Sequence, residues 1–254
     1  MRTMTLCALG GIPMVQKGDS LCRIILRAAQ DGGERLQNGD VLVVAQKIVS
    51  KAEGRTVSLA SVVASPEAIE LAGQVNKDPR LVALVLAESA SVLRHRRDVL
   101  IVEHRLGFVM ANAGIDMSNV QQQVAEDTAL LLPLDPDKSC ASLREDLRLA
   151  CGADVGVIIN DSHGRAWRNG TVGVAIGVAG LPALDDRRGM PDLFGRPLKV
   201  TEVGLADELA SAASVLMGQA DEAYPVVLIR GLAWPRRNGT ARELIRPKQL
   251  DLFR

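Results

Sequence analysis

Four apolar runs of strand length, Val41–Ala45, Val99–Val102, Val155–Ile159 and Val226–Ile229, are spread along the chain among stretches of helical periodicity. Strands and helices mix without the regular alternation that a doubly wound sheet demands, so the order predicts an α+β fold with mixed sheets rather than α/β. Thr3–Leu9 adds a strand that ends at the turn Gly10-Gly11-Ile12-Pro13, and Asn38-Gly39-Asp40 turns the chain into Val41–Ala45. Asp19 is expected to cap a helix through about Gln30, with Leu21, Ile24, Ile25 and Ala28 on one face. Proline in the first turn, where its missing N–H costs nothing, marks helix starts at Ser65-Pro66, Asp78-Pro79 and Asp135-Pro136. The last of these carries Leu143, Leu147 and Ala150 and stops at Gly152, while Leu205, Leu209, Ala212 and Leu216 form a face of a helix ending at Gly218. Gly173 and Gly177 inside the apolar stretch Thr171–Ala179 predict a bulge or a close backbone approach. There is no low-complexity linker, so residues 1–254 are taken as one unit whose internal division, if any, is discontinuous or tightly joined.

Thirty basic residues balance thirty acidic ones and aromatics make up only 2%, which removes the bulk electrostatics and the stacking surface that a nucleic-acid partner needs. The four cysteines share no short metal-ligand spacing, so buried or idle thiols are expected, and the three histidines are too scattered for a zinc site. No apolar run approaches membrane-spanning length and the N-terminus has no stretch of signal-peptide type. The expectation is a cytoplasmic protein with small-molecule partners, without nucleic acid or membrane.

Nucleotide fingerprints of the P-loop or Rossmann kind are missing, as is a nucleophile elbow. What remains is polar residues at the ends of apolar segments. Gln46 to Arg55 puts Lys47, Lys51 and Arg55 directly after a strand, a pattern that binds phosphates as point charges or simply makes a solvated turn. Ala111 to Asn119 is a loop of small residues with one carboxylate, Asp116, and two amides, Asn112 and Asn119, for which an ordinary turn is the simpler reading. Asn160-Asp161-Ser162-His163 follows a buried strand and lies beside Arg165 and Arg168; carboxylate and hydroxyl oxygens there suit a hard cation such as Mg²⁺ or Mn²⁺. Met217-Gly218-Gln219-Ala220-Asp221-Glu222 sits at a helix end, where a plain C-cap is the simpler reading.

Taken in order, Gly39–Val44, Val49–Arg55, Ala111–Asp116 through Asn119, and Gly164-Arg165 through Trp167-Arg168 resemble the coenzyme F420-0:L-glutamate ligase family, over a span from Gly11 to about Gly231. The resemblance implies two intimately joined α+β domains, an interlocked homodimer, GTP as phosphoryl donor, and Mg²⁺ or Mn²⁺ (two ions) with a monovalent cation, K⁺. It implies an amide bond formed between L-glutamate and a deazaflavin precursor, with further γ-linked glutamates as an extension. Carried over by position, Ile12, Pro13, Met14, Val15, Gln46, Lys47, Lys51 and Asn119 would contact the nucleotide, as would Met217, Gly218, Gln219, Ala220, Asp221, Glu222, Ala223 and Tyr224. Asp116, Asp161, Ser162 and Gln219 match metal ligands, and Asp116, Asp161 and Lys51 would carry the catalysis. Ser162 stands where the family often has threonine and His163 where it often has an aromatic residue; serine keeps the oxygen, and the role of His163 stays open. The flavin-binding domain fused to some relatives is not expected here. The alternatives are a related ligase acting on another carboxylate and a metal-dependent nucleotide-binding protein without ligase chemistry.

Overall fold

The computed structural model describes residues 2–118, 127–234 and 237–252, so Asn119 lies outside the described residues. In chain order the strands and α-helices are β1 (Thr5–Ala8), α1 (Leu21–Asp31), β2 (Val41–Ala45), α2 (Gln46–Ala52), β3 (Thr56–Ser58), α3 (Pro66–Val75), α4 (Pro79–Glu88), β4 (Ser89–Arg96), β5 (Val99–His104), β6 (Val109–Ala111), β7 (Thr128–Leu130), α5 (Pro136–Cys151), β8 (Gly156–Arg165), β9 (Arg168–Ala179), β10 (Asp185–Asp186), β11 (Glu202–Val203), α6 (Leu205–Met217) and β12 (Val226–Arg230). The fold is α+β. Its main sheet has the order β1-β12-β2-β8-β9, in which only β2 and β8 run parallel.

Burial on both faces explains why the central runs are apolar without alternation. Leu42, Val44, Val157 and Ile159 pack with Ile25, Leu143 and Leu147 of α1 and α5. Val41, Val43, Ile158 and Val227 pack on the other side with Ala206, Leu209, Ala210 and Ala213 of α6. Residues between the central strands build a separate cluster, in which Ala68, Val75, Val82 and Val85 of α3 and α4 cover Leu100 and Val102 of the β4-β5-β6 sheet.

The proline-marked starts are real: Ser65, Asp78 and Asp135 accept the N–H groups of Ala68, Arg80 and Lys138, and α5 ends at Gly152 with φ of 77°. Other details differ from expectation. Helix α1 is capped by Ser20, while Asp19 instead accepts the Gln16 N–H at 2.8 Å in the preceding turn. Strand β8 runs through Arg165, so the Asp161 segment is part of a long hairpin rather than a loop after the strand. Cys22 and Cys140 are buried, but Cys151 is exposed.

Helix α6 buries Ala206, Leu209, Ala210, Ala213 and Met217 and leaves Leu216 outward, with β9 coming closest at Ala210. A Cβ on Gly173 would lie 2.5 Å from the Ala210 carbonyl oxygen and 2.1 Å from Ser214 Oγ. One on Gly177 would lie 2.5 Å from the Pro136 carbonyl oxygen on the opposite face. The bulge is present too: Ile159 pairs with Gly177 and Asn160 with Ala175, leaving Ile176 extra. The freed Ala175 N–H donates to Asp207 Oδ1 at 2.9 Å. Gly173→Ala is therefore expected to destabilise the protein by about 1–2 kcal/mol, after the smaller unfolded-state entropy of alanine is subtracted. Chemical denaturation measures this, and an unchanged midpoint would mean that α6 can retreat from the sheet.

Candidate active site

One edge of the main sheet gathers the polar segments. The Leu9 N–H donates to Val226 O at 2.9 Å and the Ala45 N–H to Pro225 O at 2.8 Å. Ala45 is in register with Asn160, and Asn160 with Ala175. The chain that follows Leu9, the helix that follows Ala45, the loop that precedes Val226 and the hairpin that continues past Asn160 therefore leave the sheet side by side. Gly10 lies against the Tyr224 ring, so the loop of Ile12–Val15 and the loop of Met217–Tyr224 are neighbours. Of the former, Val15 is buried, Ile12 half-buried, and Pro13 and Met14 exposed.

Strand alternation then sorts the side chains of β8. Asn160 and Ser162 face α6: Asn160 Nδ2 donates to Ser214 Oγ at 2.9 Å, and Ser162 Oγ donates to Gln219 Oε1 at 2.9 Å. Asp161 and His163 lie on the opposite face with Ile159, whose cluster includes Ile48 and Val49 of α2. His163 Nε2 sits 3.1 Å from Asp161 Oδ2. Gln219 belongs to a tight loop. Gly218 has φ of 70°, and Glu222 folds back over it to accept the Ala220 N–H at 2.8 Å. Asp221, Ala223 and Tyr224 complete the loop, Ala223 with φ of 59°.

Helix α2 starts without a break from β2, which fixes its lysines at this edge. Gln46 is buried and accepts the Ser50 hydroxyl at 2.9 Å. Lys47 Nζ lies 2.6 Å from Asp116 Oδ2 and donates to Ser118 Oγ at 3.0 Å. Asp116 Oδ1 accepts both the N–H and the hydroxyl of Ser118 at 2.7 Å. The approach to Asp116 is left-handed at three successive residues, Asn112, Ala113 and Gly114, with φ of 51°, 54° and 66°. A Cβ on Gly114 would meet Leu132 at 2.9 Å.

Burial raises the Asp116 pKa, but the hydrogen bonds from Lys47 and Ser118 outweigh it and hold the carboxyl below its ordinary value of 3.8. A folded pKa below the unfolded one gives stability that is present above the unfolded value and is lost as pH falls through the folded one. The stability difference between wild type and Asp116→Asn should thus be constant above about pH 5 and shrink below pH 4. Melting curves across this range measure it, and a difference that does not vary with pH would mean the carboxylate is not held by the pair. Lys51 is shifted down, first by burial and then by repulsion from Lys47, with Asp116 opposing.

Arg55, grouped with the lysines in the sequence, has a different duty. Its Nε donates to Leu132 O at 2.8 Å and its Nη2 to Glu88 Oε2 at 2.9 Å, while Arg105 also binds Glu88. Neighbouring Glu53 accepts from Ser139 Oγ and from the Leu134 N–H. Glu53 and Glu88 lock the end of α2 to α5 and α4. A lone glutamate gives no sequence signal for such a role.

Among the described residues no three His, Cys, Asp or Glu side chains converge as metal ligands, and no helix is long and apolar enough to cross a membrane. The F420-0:gamma-glutamyl ligase family profile matches residues 11–231. The chain is 47% identical over 253 residues to the coenzyme F420:L-glutamate ligase of Methanothermobacter thermautotrophicus, covering 99% of each. It is 47% identical over 219 residues to the enzyme of that name from Methanocaldococcus jannaschii, covering 86% of each. For that of Archaeoglobus fulgidus the identity is 41%, over 96% of this chain and 94% of the relative. With the ordered motifs brought to a single sheet edge and a match of this extent, the chain belongs to the F420-0:gamma-glutamyl ligase family.

Proposed function

We propose that this protein is a ligase that joins L-glutamate to coenzyme F420-0 through an amide bond, with GTP as phosphoryl donor and GDP and phosphate as products. The observation that carries the reading is the convergence, at one edge of the main sheet, of the Ile12–Val15 loop, the α2 lysines, the Asp161 hairpin and the Met217–Tyr224 loop. A carboxylate is a poor electrophile, so GTP first converts the precursor's carboxylate to an acyl phosphate, and the glutamate amine then displaces phosphate. Lys47 and Lys51 hold the transferred phosphates in line as the charge moves. Lys51 suits this role because its ammonium is crowded by Lys47 and partly desolvated, a cost that an incoming phosphate relieves. An acyl phosphate hydrolyses readily, so water must be kept from it during turnover.

Asp116, Asp161, Ser162 and Gln219 offer only oxygen donors, a set that fits Mg²⁺ or Mn²⁺, with K⁺ as the accompanying monovalent cation. Asp161 and Asp116 would hold one divalent ion and Ser162 with Gln219 another. When bound, these ions supply charge stabilisation for phosphoryl transfer. The reading extends to a cytoplasmic homodimer. The described tail does not itself demand a partner, since it packs on its own chain: Ala241 is buried and its N–H donates to Asp137 Oδ1 at 2.8 Å. Light scattering at micromolar protein is expected to give twice the chain mass, and a monomer at every concentration would remove the dimer.

GDP release measured with F420-0 alone, with L-glutamate alone and with both tests the ligase itself. Robust turnover is expected only with both. Equal GDP release without glutamate would leave a nucleotide hydrolase or binder instead.

A further inference from the structure

We propose that His163 is a positioning residue for Asp161: it engages one oxygen of that carboxylate and thereby sets the site's preference for Mg²⁺ over Ca²⁺. The proposal rests on the ligase reading, in which Asp161 holds a divalent ion. Along β8 the exposure alternates past the buried Asn160. Asp161 and His163 are half-buried, and Ser162 between them is exposed. Parallel pairing with β2 ends at Asn160, whereas pairing with β9 continues, with Asp161 opposite Val174 and His163 opposite Val172. Asp161 and His163 are therefore neighbours on one face of a paired strand, and the hairpin backbone fixes their spacing.

The contact between them involves particular atoms. His163 Nε2 lies 3.1 Å from Asp161 Oδ2, and the two side chains are only 12% and 14% exposed, so water competes poorly for either group. A bare imidazole lone pair would repel the carboxylate, so Nε2 bears the hydrogen and donates it to Oδ2. Among the described residues no group donates to Asp161 Oδ1. The two carboxylate oxygens are thus unlike: Oδ2 is committed to the protein, and Oδ1 keeps its lone pairs for a cation. Hydrogen bonds of this kind orient the carboxylates that ligate metals. The inequality also bears on which cation is taken. Ca²⁺ accepts many oxygens in flexible geometry and readily takes both oxygens of one carboxylate. Mg²⁺ demands near-ideal octahedral geometry, which the narrow bite of a chelating carboxylate strains. A carboxylate that offers one oxygen costs Mg²⁺ nothing and deprives Ca²⁺ of a ligand.

His163→Phe keeps a ring on the strand and deletes the donor, while His163→Gln puts an amide N–H close to where Nε2 stands. Calorimetric titration of Mn²⁺ into each free protein, followed by displacement with Mg²⁺ or Ca²⁺, gives the affinities without any turnover. His163→Phe is expected to weaken Mg²⁺ by about tenfold and Ca²⁺ by clearly less, so that the preference for Mg²⁺ shrinks, and His163→Gln should restore most of it. Unchanged affinities in the Phe variant overturn the proposal, as does a wild type that binds no Mn²⁺. Equal losses for the two cations overturn it too, since general damage to the hairpin would weaken both alike. So does a Gln variant no better than Phe, because the ring rather than the donor would then matter. Wild-type glutamylation is scored separately. A protein with this metal preference that never glutamylates keeps the His163–Asp161 pair and loses the ligase reading; one that glutamylates with metal affinities indifferent to His163 does the reverse.

Discussion

Asp161→Asn is expected to slow GTP-dependent glutamylation about a thousandfold while leaving the metal-free melting temperature nearly unchanged. Asparagine is almost isosteric and retains an oxygen toward His163 Nε2, which lies 3.1 Å from Asp161 Oδ2. The strand leading to it is buried and paired on both sides through Asn160, and Asp161 itself stays in register with Val174 of β9, so the backbone has little reason to move. What changes is charge: an anionic ligand becomes neutral at the sheet edge. Stabilisation of transition-state charge by a metal is worth several kcal/mol, and a loss of about 4 kcal/mol corresponds to about three decades of rate. Melting temperature without metal, Mn²⁺ affinity and glutamylation rate for both proteins decide the matter. Near-normal turnover with unchanged Mn²⁺ affinity removes Asp161 from the metal site. Parallel losses of activity and metal-free stability make it a structural residue.

Lys51→Ala should raise the dissociation constant of GDP with Mn²⁺ by tenfold to a hundredfold, because a charge-assisted phosphate hydrogen bond is worth about 1.5–3 kcal/mol. Stability of the free protein should hold or rise slightly. The Lys51 pKa is lowered by burial and then by Lys47, with Asp116 opposing, so the charged ammonium is less favourable in the folded protein than in the unfolded chain. That sign has a second consequence: the cost declines as pH rises through the lowered pKa, and in the alkaline range where the lysine titrates phosphate binding should draw the pKa back up with proton uptake. Calorimetry in buffers of different ionisation enthalpy reads both quantities. An unchanged affinity, with no difference in proton uptake between wild type and variant, would return Lys51 to a solvated helix end.

Much of this was legible because local chemistry wrote it. Val41–Ala45 and Val226 onward are strands because only a doubly covered sheet accepts runs so apolar, and the helix starts at Pro66, Pro79 and Pro136 follow from proline's missing donor. The glycines of β9 announced both bulge and contact. Failures lie where tertiary contacts override local pattern. Of the face expected from Leu205, Leu209, Ala212 and Leu216, Leu209 is buried and Leu205 packs on the core, but Leu216 points outward, and Ala206, Ala210 and Ala213 take inward positions where Gly173 brings the sheet within reach of Ala210. Asp19 is as good a cap as Ser20 by residue type, and the Gln16 turn claimed it first. In the site, the cluster of Lys47, Lys51 and Arg55 reads as three equivalent cations; only the fold shows that Arg55 is engaged by Glu88, far away in sequence. Asn119 lies outside the described residues, and its part in the site rests on the resemblance alone.

The long hairpin of β8 and β9 also limits how such a sequence can drift. Asp161 and Ser162 serve opposite faces of one strand, and each side has its own partners, His163 on one and Gln219 on the other. Insertion or deletion of one residue upstream in β8 would exchange the carboxylate and the hydroxyl between faces, turning every downstream side chain over at once. Changes of two residues would restore the assignment. Length variation here should therefore be tolerated in even steps, or in odd steps only where a compensating bulge, such as the one at Ile176, absorbs the extra residue. Libraries of single and paired insertions before Asn160, sorted for glutamylation, would show that parity as activity surviving chiefly in the paired set.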